Sequence, residues 1–162
     1  MAFDCFLKID GIPGESTDDK HKDWIEVSSY SWGAVQPASA TASSSGGAAT
    51  ERADFEDFSV TKLLDKSSPD LALACVEGRH IKEVRLELCR AGGDKLLYME
   101  YKMSNCIIRS VNTSGSSGGE PEEAVAINYG KIEWTYTQQK RADGTGGGKI
   151  AKGWNLEMNK KV

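Results

Sequence analysis

The chain has little of what usually announces a chemistry. Among its 162 residues there are only two histidines, His21 and His80. Neither has a second histidine or a cysteine at ligand spacing, which argues against a metal site. The four cysteines, Cys5, Cys75, Cys89 and Cys106, never approach the C-x-x-C spacing of redox or zinc motifs. They are expected to be reduced thiols packed as small hydrophobes. No Gly-x-Ser-x-Gly elbow is present, so a hydrolase of that kind has no visible nucleophile. No apolar run is long enough for a spanning helix, so direct membrane insertion is not expected. The first eight residues, MAFDCFLK, have neither a basic n-region nor an apolar h-region. The expectation is a protein made in the cytoplasm and not exported through a signal peptide.

Charge excludes a further class. Lys and Arg total 20 against 24 Asp and Glu, a formal net charge of −4. That is the wrong sign for a nucleic-acid footprint, and the pair Lys160-Lys161 is too small to make one. The segment 143–150, DGTGGGKI, comes nearest to a phosphate-binding loop. It fails because Asp143 replaces the first glycine and Ile150 the Mg²⁺-ligating hydroxyl residue. Glu120, Glu122 and Glu123 cluster beside Pro121 and are read as solvated. Paired carboxylates do acid–base work only where a cleft separates their pKa values. No catalytic residue, metal or cofactor is expected.

What is present is a mainly β pattern at a length suited to one domain, residues 1–162. Phe3, Cys5, Leu7 and Ile9 alternate with polar positions, as in a strand with one buried face. A second strand over residues 23–32 changes apolar phase from Ile25 and Val27 to Tyr30 and Trp32. That implies a bulge near Ser28 and Ser29, and puts Ser29 and Ser31 on the face opposite Tyr30 and Trp32. Residues 33–54 lose all pattern and read as a long extended loop. Ser68 as N-cap, Pro69, Asp70 and Gly78 bracket one short helix, about Pro69–Glu77. Leu71, Ala74 and Cys75 form its apolar face, with Val76 at the margin.

Beyond the helix the pattern is again that of strands. Val84, Leu86 and Leu88 read as one strand, followed by a turn at 91–94. Leu97 to Met103, Ile107 to Val111, Val125 to Tyr129, Ile132 to Tyr136 and Trp154 to Met158 read as further strands. A second bulge is expected at Gly130. The fold class is a β-barrel of two antiparallel sheets, flanked by the one α-helix. Nine of the 17 glycines fall in three runs, at 46–47, 115–119 and 144–148, and are read as loops.

Several segments together resemble the Hcp (haemolysin-coregulated protein) family of bacterial type VI secretion. They are MAFD with FLKI at the start, Gly14-Glu15-Ser16, Ser31-Trp32-Gly33, and Thr61-Lys62 with Asp65-Lys66-Ser67 before the helix. Arg90-Ala91-Gly92-Gly93 and Gly153-Trp154-Asn155 complete the set, in order over essentially the whole chain. The loop at 37–50 diverges most. The resemblance implies hexameric rings that stack into the inner tube of a contractile machine and carry or chaperone small effector proteins in the lumen. The implied partners are a second copy of the chain, a spike protein at the tube tip, the contractile sheath and the effectors. Secretion through that machine needs no signal peptide. On this reading Ser29 and Ser31 face the lumen, and Ser39, Ser43, Ser44, Gly46 and Gly47 belong to an arm between subunits or rings. The rival readings are a monomeric or dimeric ligand-binding β-barrel with a pocket of Trp and Tyr, and a small enzyme using Glu122 or Glu123.

Overall fold

The computed structural model describes residues 3–37, 52–92, 95–139 and 146–162. In chain order the strands are β1 (Phe3–Ile9), β2 (Ile25–Glu26), β3 (Ser29–Ser31), β4 (Ala34–Val35), β5 (Asp54–Phe55) and β6 (Phe58–Leu63). The helix α1 (Ser68–Glu77) follows. Then come β7 (His80–Arg90), β8 (Leu97–Ser114), β9 (Glu122–Asn128), β10 (Lys131–Gln139), β11 (Gly146–Asn155) and β12 (Lys160–Lys161). The fold is mainly β, with one helix and two antiparallel sheets, of ten strands and of two.

The pairings of the larger sheet run in a circuit. β1 pairs with β7, β7 with β8, β8 with β9, β9 with β6 and β6 with β3. Residues 25–31 close it, because β2 pairs with β1 while β3 pairs with β6. At the handover the Val27 N–H donates to the Cys5 carbonyl at 3.1 Å, and the Ser28 N–H to Thr61 at 2.8 Å. The phase change read as a bulge near Ser28 is therefore a change of partner, with the chain leaving one wall for the other at that point.

β8 is the longest strand, with 18 residues, and takes in the separate strand expected at 107–111. Its first half lies between β7 and β10, and its second half pairs with β9. The join is irregular. Asn105 has φ 55°, a region that glycine and asparagine enter at least cost. Opposite it the Gly130 N–H donates to both Ser104 and Asn105 carbonyls, at 3.0 and 3.1 Å. The bulge expected at Gly130 is not found: Lys131 faces Ser104 and Asn128 faces Ile107, so the strands keep step across the join and change phase together. The inward set passes there from Met99, Tyr101 and Met103 to Cys106 and Ile108, and a register shift between Ile108 and Ser110 then turns Val111 inward.

The helix starts one residue earlier than expected. Ser67, not Ser68, is the N-cap, and the Leu71 N–H donates to its carbonyl at 2.9 Å. The Ser68 hydroxyl is used elsewhere, accepting from the Asp65 N–H at 3.1 Å and the Lys62 ammonium at 3.2 Å. Gly78 ends the helix with φ 62°, as its place in the sequence implies. Leu71 and Ala74 are fully buried, and burying a leucine contributes about 1.5–3 kcal/mol. Val76 is 86% exposed and is not part of the packed face.

Gly146–Gly148 lie in β11, so part of the last glycine run is strand rather than loop. Inside the barrel Leu7, Ile25, Phe58, Leu86, Met103 and Ile127 form the centre of the core.

Candidate functional site: an uncharged face of small side chains

The register fixes one outer face residue by residue. In β6, Phe58, Val60 and Lys62 point inward, which turns Ser59 and Thr61 outward. Ser31 is opposite Ser59, and Ser29 is opposite Thr61. On the other side Ser59 is opposite Ala126 and Thr61 is opposite Ala124. Those two in turn oppose Ser110 and Asn112 of β8. Two rows of four result: Ser31, Ser59, Ala126, Ser110, and Ser29, Thr61, Ala124, Asn112. None of the eight carries a charge or a large side chain. Tyr30 points the other way, stacked on Phe58 with ring centroids 6.0 Å apart. Ser29 and Ser31 thus lie opposite Tyr30, as their phase requires, and both are exposed. The other six residues of the face were not singled out from sequence, although the alternation in β6 and β9 already turned four of them outward.

The remaining site residues read from sequence, Ser39, Ser43, Ser44, Gly46 and Gly47, lie outside the described residues. The stem of their loop is described. β4 and β5 pair through Ala34–Phe55 and Val35–Asp54, and the Glu56 N–H donates to the Gly33 carbonyl at 2.9 Å. So the segment read as patternless carries a short two-stranded ribbon at its base.

Two polar clusters were missed or misread. Glu122 is exposed, but Glu123 is 2% exposed and sits 3.2 Å from the fully buried Lys62 ammonium. Lys62 also contacts Asp65 at 3.1 Å. Reading Glu123 as solvated is corrected. It keeps step with Val125 and Ile127, and period two therefore puts it inside. It is committed to an ion pair and is separated by the sheet from its neighbour Glu122, so the two do not form an acid–base pair.

His21, by contrast, is buried on the outside of the opposite wall at 4% exposure. Its Nδ1 lies 2.7 Å from Asp18 Oδ2, and its Nε2 lies 3.0 Å from Glu87 Oε1. The ring stacks on Phe6 at 4.2 Å and meets Trp24 edge-on at 4.7 Å. Cys89 Sγ is 4.0 Å from Nε2, so cysteine, histidine and aspartate stand in the order of a thiol hydrolase. The arrangement does not activate the thiol. Glu87 holds the nitrogen that would take its proton, and burial pushes the Cys89 thiol up to about 11, with Glu87 and Asp18 adding to it. Among the described residues no group of three His, Cys, Asp or Glu is placed to hold a metal ion.

Many of the aromatic side chains pack on one another, while Phe55, Trp134 and Trp154 line an open cavity of about 480 Å³ with Gln36, Arg52 and Asn159. Phe58 and Tyr101 lie 5.2 Å apart, Trp32 and Trp134 5.3 Å, and Tyr30 and Tyr101 5.7 Å. The Trp32 indole donates to the Tyr129 hydroxyl at 2.5 Å, which donates to the Glu56 carbonyl at 2.7 Å. These rings pack against the core and lock the stem of the long loop to it.

The outer face of the opposite wall is different in kind. Lys8, Arg85, Lys102 and Glu133 share one row, and Phe6, Glu87, Glu100 and Thr135 the next. Glu83 pairs with Arg85 at 3.2 Å and Lys102 at 3.4 Å.

Comparison with known proteins gives a consistent picture. Residues 6–136 match the family model described as type VI secretion system effector, Hcp. Protein hcp1 of Pseudomonas aeruginosa is 36% identical over 162 residues, 98% of each chain. A solved type six secretion system protein is 39% identical, covers 99% of this chain and 100% of its own, and superposes with a TM-score of 0.94. Hcp1 from Salmonella typhimurium is 34% identical over all of both chains, with a TM-score of 0.84. With matching sequence, strand order and helix over nearly its whole length, the chain belongs to the Hcp family of type VI secretion proteins.

Proposed function

We propose that residues 1–162 act as one structural unit that forms a hexameric ring. Rings stack into the inner tube of the secretion machine, with the small-side-chain face toward the lumen. Ser29 and Ser31 then contact effector proteins, which are carried or chaperoned inside. The arm that includes Ser39, Ser43, Ser44, Gly46 and Gly47 reaches a neighbouring subunit or ring. A spike protein at the tip and the contractile sheath are the outer partners. The protein is made in the cytoplasm and leaves through the machine, and it catalyses no reaction.

The observation that supports this reading best is the uncharged outer face on a chain of this family. A patch without charged or bulky side chains gives a passing protein nothing to bind tightly. Light scattering on the purified protein is the test, and a mass near six chains is the expected result. A monomer at high concentration would overturn the ring.

A further inference from the structure

The His21 cluster ties the segment between β1 and β2 to the outer face of two strands, β1 and β7, that are paired with each other. Asp18 and Trp24 come from the segment between β1 and β2. Glu87 and Cys89 come from β7, and Phe6 from β1. Lys95, after the β7–β8 turn, reaches Asp18 Oδ1 at 2.7 Å. Both ring nitrogens of His21 face carboxylate oxygens within hydrogen-bond distance. A singly protonated imidazole donates only one hydrogen bond and turns a lone pair toward the second carboxylate. Only the imidazolium donates to both.

We propose that His21 is a protonation-controlled clasp. As imidazolium it fastens residues 14–24 to the outer face of β1 and β7, and on losing a proton it releases one carboxylate and loosens that segment. Several charged groups stand around it. Asp18 and Glu87 face the ring directly, and Glu100 lies across from Glu87 on β8. Asp4 lies across from Cys89 on β1, and Lys20 acts on the same thiol. Lys95 engages the far oxygen of Asp18. Because only the imidazolium donates to both carboxylates, the clasp holds with the ring protonated and opens when it loses a proton.

The segment carries its own reporters. The Ser16 N–H donates to Trp24 at 3.0 Å, Asp23 to Ser16 at 2.9 Å, and Trp24 to His21 at 3.1 Å. Imidazole ¹⁵N resonances of the intact protein follow the ring, and amide exchange, expressed as protection factors, follows the segment. Crossing the ring titration upward is expected to lower protection at Ser16, Asp23 and Trp24 about tenfold or more, the loss of one hydrogen bond to a charged group. Protection at Leu86 and Met103 is expected to stay unchanged. In His21→Gln the step is expected to vanish. A ring that carries one proton throughout the range in which the segment is protected would overturn the proposal. So would unchanged protection across the titration, or the same step in His21→Gln. The wild-type measurement decides even if that variant does not fold.

Discussion

On the wall made by β3, β6, β9 and the second half of β8, Lys62 and Glu123 point inward and the middle of the outer surface is Ser, Thr, Ala and Asn, with Glu122 and the Arg109–Asp57 pair at its margins. On the wall made by β1, β7, the first half of β8 and β10, the order is reversed. There the inward set is Leu86, Leu88, Met99 and Met103, and the outer surface carries Lys8, Arg85, Lys102, Glu87, Glu100 and Glu133. A buried ion pair is a poor source of stability, because desolvation offsets its attraction. The inverted wall is therefore not explained by stability. What it achieves is an uncharged patch in the middle of the outer surface, with Lys62 and Glu123 neutralising each other behind it.

Three experiments sharpen or break this contrast. The largest effect is expected inside the bare wall. Lys62→Met leaves Glu123 and Asp65 without their buried cation, and stability in urea should fall by about 3–5 kcal/mol. Lys62→Met with Glu123→Leu should recover much of that loss. On the other wall Lys102→Ala breaks an exposed pair and should change stability by only about 0–1 kcal/mol. Equal losses at Lys62 and Lys102 would dissolve the contrast.

A smaller effect is expected from charging the bare surface. Ser31→Arg should leave the fold and the mass in solution unchanged while lowering retention of co-expressed effector. Unchanged retention would remove Ser31 from the contact.

The smallest effect concerns a single titration on the charged wall. Hydrogen bonds from Lys95 and His21 hold the Asp18 carboxyl down at about 2. A depressed carboxylate contributes stability above its unfolded value, about 3.9, and loses it as pH falls through the folded one. Lys95→Ala should raise the Asp18 pKa toward the usual carboxylate range, read by carboxyl ¹³C shifts. An unmoved titration would show that Lys95 does not act on Asp18.

The strand order of events was readable in the sequence where alternation is strict. β1, β7 and β10 follow their apolar positions, and Gly78 stands where a left-handed cap needs it, whereas the phase change at Gly130 is shared by β8 at Asn105 and is not a bulge. Ser29 and Ser31 were assigned their face from a phase change, although its cause is a change of partner, which depends on β6 more than thirty residues away. Glu123 and His21 were harder for one reason. Each is buried by a partner distant in sequence, Lys62 and Glu87, and polar type alone suggests solvent. Extending the alternation of Val125 and Ile127 back by one step puts Glu123 inside, against its polar type. His21 lies in a segment without period, where no local signal exists.

β8 has one further consequence. Its backbone is shared by both walls, hydrogen-bonded to β7 and β10 along one stretch and to β9 along the next. Prying the walls apart is therefore not a matter of sliding one layer of side chains off another. It has to sever main-chain bonds along a single spine, so the barrel resists opening along its length as one piece.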